Sequence, residues 1–574
     1  MPPLGGFTAK WGKWMLAGIL ILAAALRLYG LSRGDTLTDE VLYAFRAVGP
    51  LDFDEAEAQT TPLEWLDPNI PWWTSLSFHD HPPLVFWVQH IFIKIFGETN
   101  FVFRLPSVIL GLLSIWLLYL IGKKLYSEET GLLAAFLLAV TVNHVYISRT
   151  GLQEAYVIFF ILLASYLFLR ALEKDDYLIW TSIALGFGFL AKYTVFVLVP
   201  VFFVYILLFK REYFLNKKLW LGVLLSLVIF SPVIIYNIML YRAVGHFDFQ
   251  ISYIAGQNPE VWRVAPGKEV GSLTDRLRNF VPSLAGSNSW LFLSLAALSL
   301  PAFFWSVVKN PLAALKKHSF LLFTFFFLLF LIARIGPSFR FLSMLTPFLA
   351  LAAGTFIAFL FRKFSENKTT IYRSFGAGTT GTIVLFEIFY SINSQIAYHP
   401  RGAQLWAYSE LRYENGNWGY NELATYLKKE LDGKMPALAF ESKYKFIEQI
   451  QTEALKKAET DNLAPYPALI IYDGNMQTAA QLWVLDRLHI YHGWPIIKTE
   501  TYLQFLKERG FDYFEKSGFT ARYFIIPADK VPKKAPPKLT ALGAAFEKEL
   551  IQNHVPPISI KNKRGEEAFR VYRF

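Results

Sequence analysis

Trp14-Met15-Leu16-Ala17-Gly18-Ile19-Leu20-Ile21-Leu22-Ala23-Ala24-Ala25-Leu26-Arg27-Leu28-Tyr29, followed shortly by Thr36-Leu37-Thr38-Asp39-Glu40-Val41-Leu42-Tyr43-Ala44-Phe45-Arg46, decides how this chain folds. The first stretch is nearly all apolar and reads as a membrane helix. The second puts an acidic pair where that helix leaves the bilayer. Carboxylates held against a bilayer are costly, and they mark chemistry or an ion path.

The rest of the 574 residues repeats the first theme: 54% are hydrophobic, 17% aromatic and only 18% charged, with a mean hydropathy of +0.33. Repeated apolar runs long enough to cross a bilayer make this a polytopic α-helical membrane protein. The net charge of +11 does not point to nucleic acid, because the basic residues sit in short loops between apolar runs rather than on an aromatic-interleaved face. There is no cysteine, which excludes disulfides, thiolate nucleophiles and Cys-ligated zinc. Lys10 and Lys13 precede the first run as in a signal peptide, but no small-residue cleavage pattern follows, so it reads as an uncleaved first helix.

Counting runs of about 20 residues predicts about eleven spans, at 13–30, 104–122, 130–147, 153–171, 177–190, 193–209, 219–240, 287–308, 319–333, 341–361 and 374–392. The fifth and sixth share one apolar run interrupted near Lys192, which predicts a hairpin with Lys192 at its turn. With the N-terminus cytoplasmic, the inside loops carry Lys123-Lys124, Arg170 to Lys174, Lys210-Arg211, Lys316-Lys317 and Arg362-Lys363, and every one is basic. The opposite face receives the acidic loop 31–103, the turn at 148–152 and the segment 241–286. An odd count leaves everything from about 393 outside, in a multi-pass protein of the cell membrane.

That tail changes character. Leu423 to Leu431 reads as an amphipathic helix opened by Tyr420-Asn421, and Pro436–Phe440, Ala468–Tyr472, Arg522–Ile526 and Phe569–Tyr572 read as short buried strands. The alternation predicts a C-terminal extracytoplasmic α/β domain over 393–574, beside a transmembrane domain over 1–392. Lys530 to Lys538, rich in Pro and Lys, reads as a surface loop.

Three outer segments carry candidate chemistry. Asp39-Glu40 can be an acidic first helical turn with Thr38 as N-cap, or a reactive carboxylate pair. Phe78-His79-Asp80-His81-Pro82-Pro83-Leu84 can be a polar turn, or its two imidazoles, His79 and His81, flanking the Asp80 carboxylate can ligate a divalent metal or position a phosphate, with Asp80 and His81 as the metal candidates. Ile147-Ser148-Arg149-Thr150-Gly151-Leu152-Gln153-Glu154 can be a solvated hairpin with a local Arg149–Glu154 pair, or part of an anion site together with Lys192 and Arg340. Cations at an outer interface run against the positive-inside bias, so each has a claim on an anionic partner such as a lipid phosphate. Val85 to Phe96 is apolar on one face but short, and reads as an interfacial helix.

In order along the chain, Thr38-Asp39-Glu40 with Tyr43-Ala44, His81-Pro82-Pro83-Leu84, Phe96-Gly97, Phe103-Arg104-Leu105-Pro106-Ser107, Ile147-Ser148-Arg149 with Glu154, Leu190-Ala191-Lys192 and Arg340-Phe341-Leu342 with Pro347 resemble the membrane glycosyltransferases of the GT-C superfamily. The closest similarity is to the prokaryotic relatives of protein O-mannosyltransferases (glycosyltransferase family 39), with the lipid A aminoarabinose transferases and the Rgt-type enzymes among them. It covers residues 13–392. The resemblance implies an inverting transfer, on the outer face, of a sugar from a polyprenyl-phosphate donor to a protein, lipid or glycan acceptor. It implies Asp39 as the general base with Glu40 in support, Lys192 and Arg340 at basic positions near the donor phosphate, and Asp80 at the position that contacts a divalent metal in some relatives, while His81 stands where some relatives have Lys. From the residues themselves, Arg149 and Glu154 join the donor-phosphate set and His81 the metal set. The chain has Glu154 where protein mannosyltransferases commonly have Asp, and its tail does not read as their β-trefoil. From the residues alone the competing class is a lipid or glycolipid transporter, or a non-catalytic scaffold with an outer binding domain. Transporters, however, place charges near mid-membrane in repeated helices.

Overall fold

The computed structural model describes all residues except 1–3, 37, 54–59, 258, 263–270, 310, 367–369, 413–415, 437–441, 477 and 529–538. The chain divides into two compact units: Met1–Leu31, Leu76–Phe92 and Phe101–Glu414 form the first, and Ser32–Ser75, Ile93–Asn100 and Asn415–Phe574 the second.

The first unit is helical. Among the described residues seven helices are long and apolar enough to cross a membrane: Trp11–Leu28, Asn100–Leu125, Glu154–Ala171, Lys217–Val244, Trp290–Lys309, His318–Ile335 and Thr346–Lys363. An eighth span arises if the pair Glu128–Val140 and Val142–Arg149, bent by 61°, counts as one. The other three expected spans take other forms. The fifth is a helix of only 15 residues, Tyr177–Ala191, about 22 Å long against the ~30 Å hydrocarbon core. The sixth begins as a 3-10 turn, Tyr193–Val197, before the helix Leu198–Phe209. The eleventh lies within the 26-residue helix Thr370–Gln395, where Gly, Thr and Ser dilute the apolar content. Lys192, expected at a turn, separates the fifth and sixth in extended conformation.

The bend in the third span has a local cause. Thr141 leaves the helical region, and its N–H (2.8 Å) and hydroxyl (2.6 Å) both turn back to the Leu137 carbonyl. The next two carbonyls are taken by Arg27, which donates to Ala139 at 2.9 Å and Leu138 at 3.5 Å, and also binds His144 Nδ1 at 2.8 Å. A buried guanidinium thus satisfies the helix end that the break exposes.

Small residues let the helices approach closely. A Cβ built on Gly131 would stand 2.5 Å from the Tyr119 carbonyl oxygen, and one on Gly354 2.8 Å from the Ala134 nitrogen, both backbone atoms that cannot step aside. Gly131→Val is therefore expected to cost about 1–3 kcal/mol and to lower the unfolding midpoint of the detergent-solubilised protein. Gly18→Ala, with nothing within 4 Å, leaves the midpoint unchanged.

The second unit contains a mixed α/β region. Two short strands, β1 (Lys434–Met435) and β2 (Ala464–Pro465), pair in parallel. A five-stranded sheet is built from β3 (Ala468–Tyr472), β4 (Ile496–Lys498), β5 (Ala521–Pro527), β6 (Pro557–Lys561) and β7 (Glu567–Arg573), in the order β4-β3-β5-β7-β6. β4, β3 and β5 run parallel, while β7 is antiparallel to both β5 and β6. β3 is buried along its whole length, as a central strand covered on both faces must be. Its Leu469 and Ile471 pack with Tyr502, Phe514, Phe524 and Phe546. Three of the four expected strands are β3, β5 and β7. The fourth, at 436–440, and the loop 530–538 fall mostly or wholly outside the described residues. The expected amphipathic helix is Tyr420–Leu431.

Candidate functional site

The fourth span opens at Glu154, and its carboxylate does not face solvent. Glu154 Oε1 accepts from Lys192 Nζ at 2.6 Å, with the two side chains 2% and 8% exposed. The extended backbone at Lys192, set between two helices, turns its side chain inward. Lys192 Nζ lies 5.2 Å above the Phe341 ring, and the Arg340 guanidinium lies 5.9 Å from the same ring. Arg340 is near enough for its charge to act on Glu154. The 339–346 segment is tied down by Asn143, which donates to the Phe339 carbonyl at 3.1 Å and accepts from Thr346 at 3.3 Å. Thus Glu154, Lys192 and Arg340, expected in one set, are brought together. The solvated-turn alternative for 147–154 is overturned, because Glu154 pairs with Lys192 and both are buried.

Arg149 is engaged elsewhere. Its Nη1 donates to the carbonyls of Leu26 (2.6 Å), Arg27 (3.1 Å) and Tyr29 (2.8 Å), and its Nη2 to Gly30 at 3.4 Å. These are orphan acceptors at the end of the first helix, where a cation also complements the helix dipole.

Asp80 and His81 lie in a buried turn: the Phe78 N–H reaches the His81 carbonyl at 3.3 Å. His81 Nδ1 bonds the Asp80 carbonyl and sits 3.6 Å from Asp80 Oδ1. The turn is docked on the 246–257 segment, where the Phe249 N–H donates to the His79 carbonyl at 2.7 Å and Gln250 Nε2 to the Asp80 carbonyl at 2.7 Å. Asp248 organises that segment. It is fully buried and accepts from Tyr193 (2.6 Å), Asn237 (3.0 Å) and the Ile251 N–H (2.8 Å). Burial raises the Asp248 carboxyl above its ordinary range, against the hydrogen bonds from Tyr193 and Ile251. Sequence reasoning missed Asp248, Asn237 and Tyr193. The only signal was Tyr193 following Lys192; the other two are single polar residues without a pattern.

In the second unit, the helix Glu40–Val48 starts with Asp39 as N-cap, and no side chain caps it. The N-cap role expected of Thr38 is not taken up: its hydroxyl is buried without a partner among the described residues. Asp39 is half-buried and Glu40 is 2% exposed. Glu40 does stand in the first turn, as the dipole reading expects, but no capping bond from the Asp39 side chain accompanies it. Asp35, read only as part of an acidic loop, is the strongest anchor nearby. Its carboxylate accepts N–H bonds from Trp418 (2.6 Å), Gly419 (2.9 Å), Tyr420 (3.3 Å) and Asn421 (2.9 Å), sealing the start of the Tyr420–Leu431 helix. Burial pushes Asp35 up to about 6 despite those bonds.

Glu98 shows the opposite balance. Burial raises it, but the hydrogen bond from His492 at 2.9 Å and the charge of Arg487 hold it at about 2. A depressed carboxyl contributes stability above its ordinary value of 4.5, and that stability is lost as the pH falls from there toward about 2. Amide protection of the helix Arg487–His492 is expected to fall over that window by about 1–2 kcal/mol, discounted because the His492 side chain is 41% exposed. In Glu98→Gln, protection starts lower at neutral pH and no longer follows pH. Hydrogen exchange at two pH values reads both.

Residues 80–236 match the family model described as dolichyl-phosphate-mannose-protein mannosyltransferase. A putative mannosyltransferase of Bacillus subtilis (strain 168), YycA, is 31% identical over 217 residues, which cover 37% of this chain and 30% of that protein. The chain thus spans less than a third of that curated relative's length. Among solved structures, ArnT from Cupriavidus metallidurans bound to undecaprenyl phosphate aligns with a TM-score of 0.53 at 12% identity, over 99% of this chain and 98% of that one. The apo oligosaccharyltransferase of Archaeoglobus fulgidus aligns with a TM-score of 0.52 at 12% identity, over 91% of this chain and 70% of that one. At these identities the structural likeness concerns the fold, a polytopic helical membrane protein with a C-terminal mixed α/β region.

Proposed function

We propose, from the mannosyltransferase-family segment at residues 80–236 in a chain of ArnT-like fold, that this protein is a membrane glycosyltransferase that moves a sugar from a polyprenyl-phosphate donor to an acceptor hydroxyl. One observation carries the reading: the matched segment contains the buried Glu154–Lys192 pair, with Arg340 and Phe341 packed beside it. An ammonium and a guanidinium held in a low-dielectric site suit a phosphate that gains charge as it leaves. The solved relative, whose bound ligand is undecaprenyl phosphate, supports the same class of donor.

In this reading Asp39 takes the proton of the acceptor hydroxyl as its oxygen attacks the anomeric carbon. The bond from that carbon to the phosphate oxygen breaks, and polyprenyl phosphate departs with the electron pair. One displacement by one base inverts the anomeric centre, without the paired carboxylates of a retaining glycosidase. Glu40 supports Asp39. Lys192 and Arg340 neutralise the departing phosphate and Glu154 aims Lys192, while Arg149, expected beside the donor phosphate, is committed to the carbonyls at the end of the first helix. The expected topology of about eleven spans, with the N-terminus inside, puts this chemistry on the outer face of the cell membrane. The transmembrane part is residues 1–392 and the outer domain 393–574.

For a divalent cation the fit is better at Asp80 with His79 than at Asp80 with His81: a ring nitrogen of His79 lies within 4.8 Å of the Asp80 carboxylate, whereas His81 turns Nδ1 to the Asp80 carbonyl and so directs Nε2 away from that carboxylate. A cation held there would supply positive charge for the phosphate. Donor use tests the proposal: purified protein consumes labelled sugar from a polyprenyl-phosphate hexose and leaves a nucleotide sugar untouched. Consumption of the nucleotide sugar without a lipid carrier overturns it.

A further inference from the structure

The turn that leads into the fourth span holds a group of buried polar atoms without partners. Gln153 is fully buried, and neither its amide nitrogen nor its amide oxygen has a partner among the described residues. The second carboxylate oxygen of Glu154, the one not bound by Lys192, is in the same condition. So is the hydroxyl of Tyr156, three residues past Gln153 and on the same side of the helix. Gln89 approaches the turn from the interfacial helix. Its Nε2 donates to the Gly151 carbonyl at 2.8 Å and to the Phe103 carbonyl at 3.3 Å, and its Oε1 is left unpaired. Both Gln89 bonds end on carbonyls, so the orientation of this amide is fixed by its partners.

Leaving so many polar atoms buried and unpaired is destabilising. The cost is not needed to build the turn, because Gln89 Nε2 already holds it. In the set acceptors outnumber donors. Three of its atoms accept only, the oxygens of Gln89, Gln153 and Glu154; the Gln153 amide nitrogen donates, and the Tyr156 hydroxyl can do either. A phosphate needs donors, which Lys192 and Arg340 provide beside the set. Acceptors with a few donors among them match a group that brings its own O–H donors and a few acceptor oxygens, which is a sugar ring.

We infer that Gln153, with Gln89 Oε1 and the outer oxygen of Glu154, reads the hydroxyl groups of the donor's sugar and makes Gln153 a specificity-determining residue. The inference rests on the glycosyl-donor reading above and deepens it. Cation and acceptors divide the donor between them: Lys192 and Arg340 take the phosphate, the Gln153 set the sugar.

The test uses full-length protein in detergent with two probes, bare polyprenyl phosphate and a polyprenyl-phosphate hexose. Gln153→Met keeps the volume and removes both unpaired amide groups. The unfolding midpoint without ligand is expected to hold or rise, and binding of bare polyprenyl phosphate to stay within about twofold of wild type. The KM for the hexose donor should rise about 10- to 100-fold, and the preference between mannosyl and glucosyl donors should shrink toward unity. Gln153→Asn, which retracts the amide by one methylene, raises the same KM by a smaller factor and serves if the Met variant fails to fold. A variant that loses stability while keeping the donor KM and the epimer preference overturns the inference, and so does a rise confined to the acceptor's KM. If wild-type protein binds neither lipid, the glycosyl-donor reading itself has failed. If wild type turns the donor over and both variants keep its KM and preference, only the role of Gln153 has failed.

Discussion

Asp39→Asn is expected to lower turnover by about 10²- to 10⁴-fold, the usual worth of a positioned general base, while donor binding stays near wild type. The substitution is informative because it leaves the helix start alone. Asp39 is the N-cap of Glu40–Val48, but its side chain makes no capping bond, so the Asn variant loses no cap. The near-isosteric change keeps the volume of the half-buried side chain, and the stability is expected to fall by no more than about 1 kcal/mol. Glu40 is the control in the same turn. It is buried at 2% exposure, and Glu40→Gln is expected to reduce rather than abolish turnover. Full activity in Asp39→Asn with loss in Glu40→Gln would move the base to Glu40.

The second large effect belongs to the Glu154–Lys192 pair. Lys192→Met strands a buried carboxylate beside a missing partner, and breaking a buried pair from one side costs about 3–5 kcal/mol. The double variant Glu154→Gln with Lys192→Met removes both charges, and stability should return most of the way toward wild type. Donor turnover should not return, because the cation facing the phosphate is still absent. Thermal unfolding and donor kinetics on the same samples separate the two effects. Recovery of turnover in the double variant would make the pair structural only.

Much of this was legible in the sequence, for reasons that differ by element. Apolar runs at 104–122 and 219–240 lie in helices because the bilayer forces length and composition to agree. The 177–190 run satisfied composition but is a 15-residue helix, and hydropathy alone does not register where a chain turns. The third span reads as continuous because neither Pro nor Gly marks its break. Thr141 and a guanidinium from residue 27, 112 positions away from Ala139, make the bend, and only tertiary structure carries that pairing.

The candidate site divides the same way. Glu154, Lys192 and Arg340 were picked out because charge at an outer membrane interface is conspicuous. Asp35, Asp248 and Gln153 were not, since an isolated polar residue gains meaning only from what surrounds it. For Asp35 that is four backbone N–H groups, for Asp248 a Tyr and an Asn, and for Gln153 the lack of any partner among the described residues. Thr38 shows the converse, a good capping sequence whose hydroxyl does not cap.

The central claim is group transfer from a lipid-phosphate sugar, and the most direct measurement follows a labelled sugar on polyprenyl phosphate with purified protein in detergent and an envelope extract as acceptor source. The account predicts that label leaves the lipid and free polyprenyl phosphate appears, with wild type but not with Asp39→Asn. Label that stays on the lipid in detergent, yet crosses the bilayer when the protein is sealed into vesicles, would contradict it and identify a carrier.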